Sequence, residues 1–136
     1  MALETIVDTS VWIDYFSGKI SSAHAKMLQL LLEQNQVVIT DIIKHELLIG
    51  TNSQKEYDLL AHNLSGLKEL WIEREFLKEF NQFGFDLRKA GLLGKYTDAS
   101  IAFLASKHRM PVFSFDRYFH KLSQKKLISL MGEMIV

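Results

Sequence analysis

Short apolar runs rich in β-branched residues alternate along this chain with longer stretches in which Leu, Ile and Phe recur every three or four positions. The first pattern belongs to buried strands and the second to amphipathic helices. Thr5-Ile6-Val7 predicts a strand that gives way at Asp8-Thr9-Ser10 to a turn or a helix start, with Ser10 as a candidate cap. A leucine and methionine stripe (Met27, Leu28, Leu31, Leu32) predicts a helix over 21–34. Val37-Val38-Ile39-Thr40 predicts a second strand; Asp41 is a natural N-cap for a helix over Ile42–Ile49, which Gly50 would end. Helices are expected over 53–65 and 75–91, with a short strand, Leu70-Trp71-Ile72, between them. Phe76, Leu77, Phe80, Phe83 and Leu87 lie at helical spacing and are expected in a core or an interface. A last helix over 98–108 leads through Pro111 to a strand, Val112-Phe113-Ser114-Phe115, that ends at Asp116. Strand and helix in alternation argue for α/β architecture: a central, mostly parallel sheet of four to five strands between two layers of helix. Chemistry in such sheets collects at the carboxyl ends of the strands.

With 48% apolar residues, the chain has enough to fill a core, and no low-complexity tract, repeat or Pro/Gly-rich linker divides it. A single domain over residues 1–136 is expected. The absence of Cys excludes disulfides, zinc-thiolate sites and thiol nucleophiles. The opening Met1-Ala2-Leu3-Glu4-Thr5 lacks the basic start and long apolar stretch of a secretion signal, and no segment reaches the length of a membrane span, so a soluble, cytoplasmic protein without a membrane partner is expected. Sixteen basic side chains balance sixteen acidic ones, and no global field draws the chain toward polyanions. The distribution is uneven: Lys107 to Lys126 holds six basic residues against one acid, a net +5. Such a segment is either a solvated helix face or a rim that contacts phosphates.

Four carboxylates break the apolar pattern. Asp8 and Asp116 each stand where an apolar strand ends. Glu46 shares a helix face with Ile42, Ile43, Ile49 and Gly50, and Asp98 shares one with Ile101, Ala102 and Ala105, so both should point inward. For Asp98 the alternative is simple helix capping. No obvious basic partner lies in the same strand or helix as any of the four, and an unpaired buried carboxylate is costly. Two such charges about 4 Å apart repel by roughly 4 kcal/mol at an effective dielectric near 20, so a cluster of four would protonate or splay without a compensating cation. Oxygen-only ligands without Cys favour a hard ion, Mg2+ or Mn2+, over zinc. Ions of this kind activate water and stabilise charge at phosphorus.

Taken in order, four segments resemble a known family. Ile6-Val7-Asp8-Thr9-Ser10-Val11-Trp12-Ile13 is similar to the opening strand of a PIN domain, specifically of the VapC-type toxins of bacterial toxin-antitoxin pairs. The helix from Ile39 through Glu46 to Gly50, the stretch Thr97-Asp98-Ala99-Ser100-Ile101-Ala102-Phe103-Leu104-Ala105, and the stretch from Val112 through Asp116 to Phe119 resemble the acidic motifs that follow. Phe115 stands where small or polar residues are common in that family, and the Leu92–Tyr96 segment is also less typical; both bear on substrate choice.

The resemblance implies a three-layer α/β/α PIN-like fold and a metal-dependent endoribonuclease. Asp8, Asp98 and Asp116 would hold the metal, with Glu46 acting directly or through coordinated water. It implies RNA as substrate, structured RNA such as tRNA or rRNA being favoured, with 5′-phosphate and 3′-hydroxyl ends. A VapB-type antitoxin partner and a homodimer are also implied, with the leucine-rich stretch from Tyr57 to Leu70 contributing to the antitoxin groove and to dimerisation. Ser10 and Ser114, each two residues from a strand-end Asp, would supply hydrogen bonds behind the acids or contacts to phosphate. Arg117, Lys107, Arg109 and Lys121 would guide the RNA backbone. His45, beside Glu46 in sequence, lies about 100° away around the helix and is expected at the surface.

Other chemistries fit less well. An aspartic protease needs two Asp sharing a proton, usually with Gly after the Asp-Thr pair, and here Ser10 follows. A phosphoaspartate phosphatase would want a second Asp at position 10. A PIN nuclease for RNA processing, outside any toxin pair, and a catalytically silent PIN-like module that binds RNA or protein are the remaining alternatives.

Overall fold

The structure is a computed structural model that describes residues 3–131. The first strand, β1 (Thr5–Val7), is buried along its whole length and leads directly into α1 (Thr9–Ser17). Two residues fix that junction. Trp12 is almost wholly buried and donates its indole N–H to the Val7 carbonyl at 3.1 Å, and Gly18 takes a left-handed conformation (φ 75°) that ends α1. α2 (Ser22–Glu33) is capped by Ser21, whose hydroxyl accepts the His24 N–H, and returns the chain to β2 (Val37–Thr40).

α3 (Asp41–Ile49) begins one residue earlier than the sequence suggests. Its cap is Thr40, whose Oγ1 accepts the Ile43 N–H at 3.2 Å, and Asp41 stands in the first turn. Both are good cap residues, and the end of the strand decides between them: Thr40 is fully buried, with its hydroxyl already in place. α4 (Gln54–Leu64), capped by Ser53, precedes β3 (Lys68–Leu70), two residues before the expected strand. Trp71 is thereby left exposed after the strand. A 3-10 turn (Arg74–Phe76) opens α5 (Leu77–Lys89); α6 (Tyr96–His108), β4 (Val112–Phe113) and α7 (Arg117–Gln124) complete the chain.

All strand pairings are parallel, in the order β3-β2-β1-β4. Leu130 adds an isolated parallel bridge outside β4, so the expected four to five strands are four plus one bridging residue. Helices α1, α3 and α4 pack in sequence on one another, and α5 packs on α6, giving the three-layer α/β/α arrangement. α6 is buried from Ala99 to Ala105, on every face, which its small side chains permit. Phe80 packs on Phe103 beneath α5, forming a satellite of the core. Phe113 and Phe119 are wholly buried, each burial being worth about 1.5–3 kcal/mol. Among the described residues no helix is long and apolar enough to cross a membrane.

The strand order has one consequence for chemistry. From β1 the chain builds outward through β2 and β3 on one side and returns to β4 on the other, so a topological switch lies between β1 and β4. Open parallel sheets form their binding crevice at such a point, beyond the carboxyl ends of the strands.

Candidate active site

Asp8 is the residue immediately after β1. It is 6% exposed, and its backbone N–H donates to the Phe113 carbonyl of β4 at 2.9 Å, pinning it at the switch. It occupies the N-cap position of α1 without using its carboxylate as a cap. Instead Oδ2 accepts two hydroxyls, Ser10 Oγ at 2.8 Å and Ser114 Oγ at 2.8 Å. Each serine is oriented from behind: Ser10 Oγ accepts the Phe115 N–H at 3.1 Å, and Ser114 Oγ accepts the Asp116 N–H at 3.0 Å. A hydroxyl has one proton to give, and both are given to Asp8, so the 3.3 Å separation of the two oxygens is a contact without a proton between them. Backbone amides thus orient two hydroxyls toward one carboxylate oxygen. Of the two readings for Ser10, a helix cap or a hydrogen bond behind the acids, its hydroxyl makes the second.

Glu46 projects from the middle of α3, half-buried, and its Oε1 accepts Thr9 Oγ1 at 2.8 Å. Thr9 adjoins Asp8, so α1 and α3 bring the first two acids to one place. The sequence did not single out Thr9; its place between Asp8 and Ser10 at a helix start was the only signal. The inward face of α3 is carried by Ile43 and Leu47, whereas Ile49, expected to share it, is 68% exposed.

Asp98 enters from the first turn of α6 and is half-buried. Burial is the main cause that pushes its carboxyl above the usual carboxylate range, and repulsion from Asp116 and then Asp8 adds to it. The Lys95 ammonium and the Lys95 backbone N–H oppose the shift. Lys95 is the N-cap residue and Asp98 lies three positions on, so the carboxylate reaches back as in one half of a capping box. The capping alternative therefore describes part of its surroundings.

Asp116 departs from expectation. β4 ends at Phe113, and Asp116 stands three residues further on, exposed, as N-cap of α7, its Oδ1 accepting the Tyr118 N–H at 2.9 Å. It does not point into a dry interior. Phe115 packs edge-on against His24 at 4.9 Å and against Phe113 at 5.8 Å, which is why an aromatic stands at that position.

Asp8 and Glu46 are brought to one end of the sheet through adjacent Thr9 and its bond to Glu46, and Asp98 lies near enough to Asp116 and Asp8 to feel their charges. Among the described residues, however, no three His, Asp or Glu side chains stand close enough together to hold one metal ion. The oxygen-only donors and a repulsion that Lys95 only partly opposes fit a hard cation; the ligand sphere itself is not closed.

The basic rim divides. Arg117 opens α7 beside Asp116, and Lys121 follows one turn later on the same face, both exposed. Lys107 and Arg109, expected with them, are elsewhere. Lys107 lies about 13 Å along α6 from Asp98, against Leu70, Trp71 and Phe76. Its Nζ bonds Glu79 at 2.7 Å and sits 3.8 Å above the Phe76 ring. Arg109 ends the same helix in a left-handed conformation. Lys95, which sequence reasoning passed over, is the cation that does reach the acids.

Beside Glu46 a groove of about 630 Å3 runs between α1, α3 and α4, lined in part by Ile13, Phe16, Leu47, Gly50 and Leu60. Ile13 and Phe16 are more than half exposed. Of the leucine-rich stretch from Tyr57 to Leu70, Leu60 lines this groove.

No curated protein matches the chain. Solved structures do match its fold. VapBC2 from Rickettsia felis, bound to a DNA fragment from its promoter, superposes with a TM-score of 0.73 at 17% identity, covering 93% of this chain and 96% of that one. DNA-bound VapBC from Salmonella typhimurium gives 0.71 at 19% identity over 88% and 92%. A toxin-antitoxin complex from Klebsiella pneumoniae gives 0.64 at 22% identity over 82% and 86%. The PIN domain family model matches residues 5–125, nearly the full length of the fold described above, and the chain belongs to that family.

Proposed function

We propose that this chain is a divalent-metal-dependent endoribonuclease acting in the cytoplasm as the toxin of a toxin-antitoxin pair. The observation that carries the reading is the gathering of carboxylates at the switch point: Asp8 is pinned there by Ser10, Ser114 and the Phe113 carbonyl, and Asp116 and Asp98 lie near enough to repel one another. Asp8, Asp98 and Asp116 would hold the cation, Mg2+ or Mn2+, with Glu46 beside them. When bound, such an ion supplies a more acidic water and offsets charge on the phosphate oxygens.

The protein's own contribution is to fix its oxygens. Ser10 and Ser114 keep Oδ2 of Asp8 engaged, so the carboxylate cannot rotate, and the direction of its other oxygen, Oδ1, is set. Thr9 holds Glu46 by Oε1, leaving Oε2 to orient a water for in-line attack on a backbone phosphate. Arg117, Lys121 and Lys95 flank the acids and would draw the RNA backbone past them, offsetting repulsion between carboxylates and phosphates. The groove beside Glu46, apolar at its lips and open toward the site, suits a VapB-type antitoxin segment that would block it. The fold's likeness to toxin-antitoxin complexes supports this assignment, and a homodimer is part of the same proposal.

A catalytically silent module is the second reading, favoured by the engagement of Asp98 and Asp116 with helix N–H groups. Cleavage of a tRNA and rRNA mixture, with and without chelator, tests between them. The nuclease reading expects chelator-sensitive cuts with 5′-phosphate ends that Asp98→Asn abolishes at unchanged far-UV ellipticity. RNA binding without any cleavage would select the silent module.

A further inference from the structure

We propose that Tyr118 is a positioning residue that sets the spacing between Asp98 and Asp116, and that Gly94 is the seat its ring requires. The inference rests on the nuclease reading and adds to it a residue outside the four acids.

Asp116 and Asp98 belong to different helices, and no hydrogen bond joins them directly. A chain of contacts does. The Tyr118 N–H donates to Asp116 Oδ1 at 2.9 Å, so the Asp116 carboxylate is fixed relative to the backbone of residue 118. From that backbone the Tyr118 ring crosses to the segment that leads into α6 and lies directly on Gly94. A Cβ built there would stand 2.8 Å from Cζ and 2.9 Å from Cε1, closer than carbon atoms approach, and a tight 3.1 Å from Cε2. Gly94 precedes Lys95, the N-cap of α6, whose N–H in turn favours the Asp98 carboxylate. The route is continuous: Asp116, the Tyr118 amide, its ring, Gly94, the Lys95 amide, Asp98.

The ring is anchored behind by Phe119, 5.5 Å away edge to face and wholly buried, so it cannot swing out with the first turn of α7. Its hydroxyl is enclosed and makes no hydrogen bond of good geometry; the Gly94 N–H reaches toward it without aligning as a donor. An enclosed hydroxyl without a partner is unfavourable. The ring's contact with Gly94 therefore accounts for the side chain's place, and the hydroxyl does not. A cation shared by Asp98 and Asp116 needs their oxygens at one fixed separation, and losing the groups that orient metal ligands costs about 10–100-fold in metal affinity.

Mn2+ affinity by calorimetry on the RNA-free full chain, the melting temperature in chelator and the cleavage rate together test the proposal. Gly94→Ala, which pushes the ring off its seat, and Tyr118→Ala, which deletes the ring and leaves room, should each weaken Mn2+ binding about tenfold or more. Tyr118→Phe should bind Mn2+ and cut RNA as wild type does. In the Gly94→Ala background, Tyr118→Leu, short of the clashing ring atoms, should recover affinity to within about threefold of wild type, a rescue that a merely destabilised fold would not show. Should Gly94→Ala fail to fold, Tyr118→Ala carries the same expectation. Wild-type Mn2+ affinity in a folded Gly94→Ala or Tyr118→Ala, or loss of cleavage in Tyr118→Phe at unchanged affinity, overturns the positioning role. Wild-type protein that neither binds Mn2+ nor cuts RNA overturns the nuclease reading itself, and this proposal with it.

Discussion

Replacing Ser114 by Ala removes a single heavy atom, the hydroxyl oxygen, yet that oxygen makes two hydrogen bonds at the centre of the site. It donates to Asp8 Oδ2 at 2.8 Å and accepts the Asp116 N–H at 3.0 Å. Ser114 is 4% exposed and Asp8 6%, so little water can take its place. A hydrogen bond to a charged group contributes about 1.5–3 kcal/mol, and the amide of the exposed Asp116 can turn to solvent, so the loss should be about 2 kcal/mol. For a domain of this size that corresponds to roughly 6–10 °C in melting temperature. Ser10→Ala removes the partner donor and should cost somewhat less, since Ser10 is only half-buried. The double variant leaves Oδ2 of a buried carboxylate with neither donor, and its cost should exceed the sum of the single ones by about 1 kcal/mol. Urea denaturation in chelator, with a cycle over Ser10, Ser114 and their double variant, measures each quantity. Additivity within about 0.5 kcal/mol, or a Ser114→Ala loss below that size, would refute the view that these hydroxyls jointly hold Asp8.

Further outcomes follow from the same geometry. The folded state holds a proton on Asp98 more tightly than the unfolded chain does, so the group stabilises the fold below the ordinary carboxylate value of 3.8 and that contribution is lost as pH rises toward the raised folded value. In chelator, Asp98→Asn should therefore melt higher than wild type at pH 7, with a gap that shrinks to nothing near pH 3; a gap independent of pH contradicts this. Millimolar Mn2+ should raise the wild-type melting temperature and raise that of Asp98→Asn far less, an equal rise pointing to binding elsewhere. Arg117→Ala and Lys121→Ala should each weaken RNA binding and make its salt dependence shallower by about one phosphate contact, whereas Lys107→Ala should leave both unchanged. An effect from Lys107 equal to that from Arg117 would return it to the rim.

Much of this architecture was legible because its signals are local. Thr5–Val7, Val37–Thr40 and Val112–Phe113 are apolar runs too short for helices, and the acid after β1 stands out against them. The helices expected over 21–34, 53–65 and 98–108 from apolar spacing lie at 22–33, 54–64 and 96–108, with Ser21 and Ser53 as caps that the structure adds. What the sequence could not supply was long-range registration. Ser114 and Asp8 are 106 residues apart and Thr9 and Glu46 are 37 apart, so both bonds exist only once β4 and α3 have docked beside β1. Lys107 shows the converse: it is close to Asp116 in sequence, but its ammonium is engaged by Glu79 and the Phe76 ring, contacts that no local signal announces. The helix-face reading of the basic segment agrees with α7 over Arg117–Gln124, but its charge gives no bounds; Phe119 and Leu122, which it buries fully, carry the helical spacing. Asp116 was expected to be buried by analogy with Asp8, but β4 stops two residues earlier than its apolar run implies.

The central claim is that Asp8, Asp98 and Asp116 share one cation. Anomalous diffraction from crystals grown with Mn2+ tests it most directly. A single strong peak bounded by carboxylate oxygens of all three residues, and absent from Asp8→Asn crystals, is the expected result. No peak at the ends of β1 and β4, or peaks only at surface acids such as Glu73 and Glu75, would contradict it.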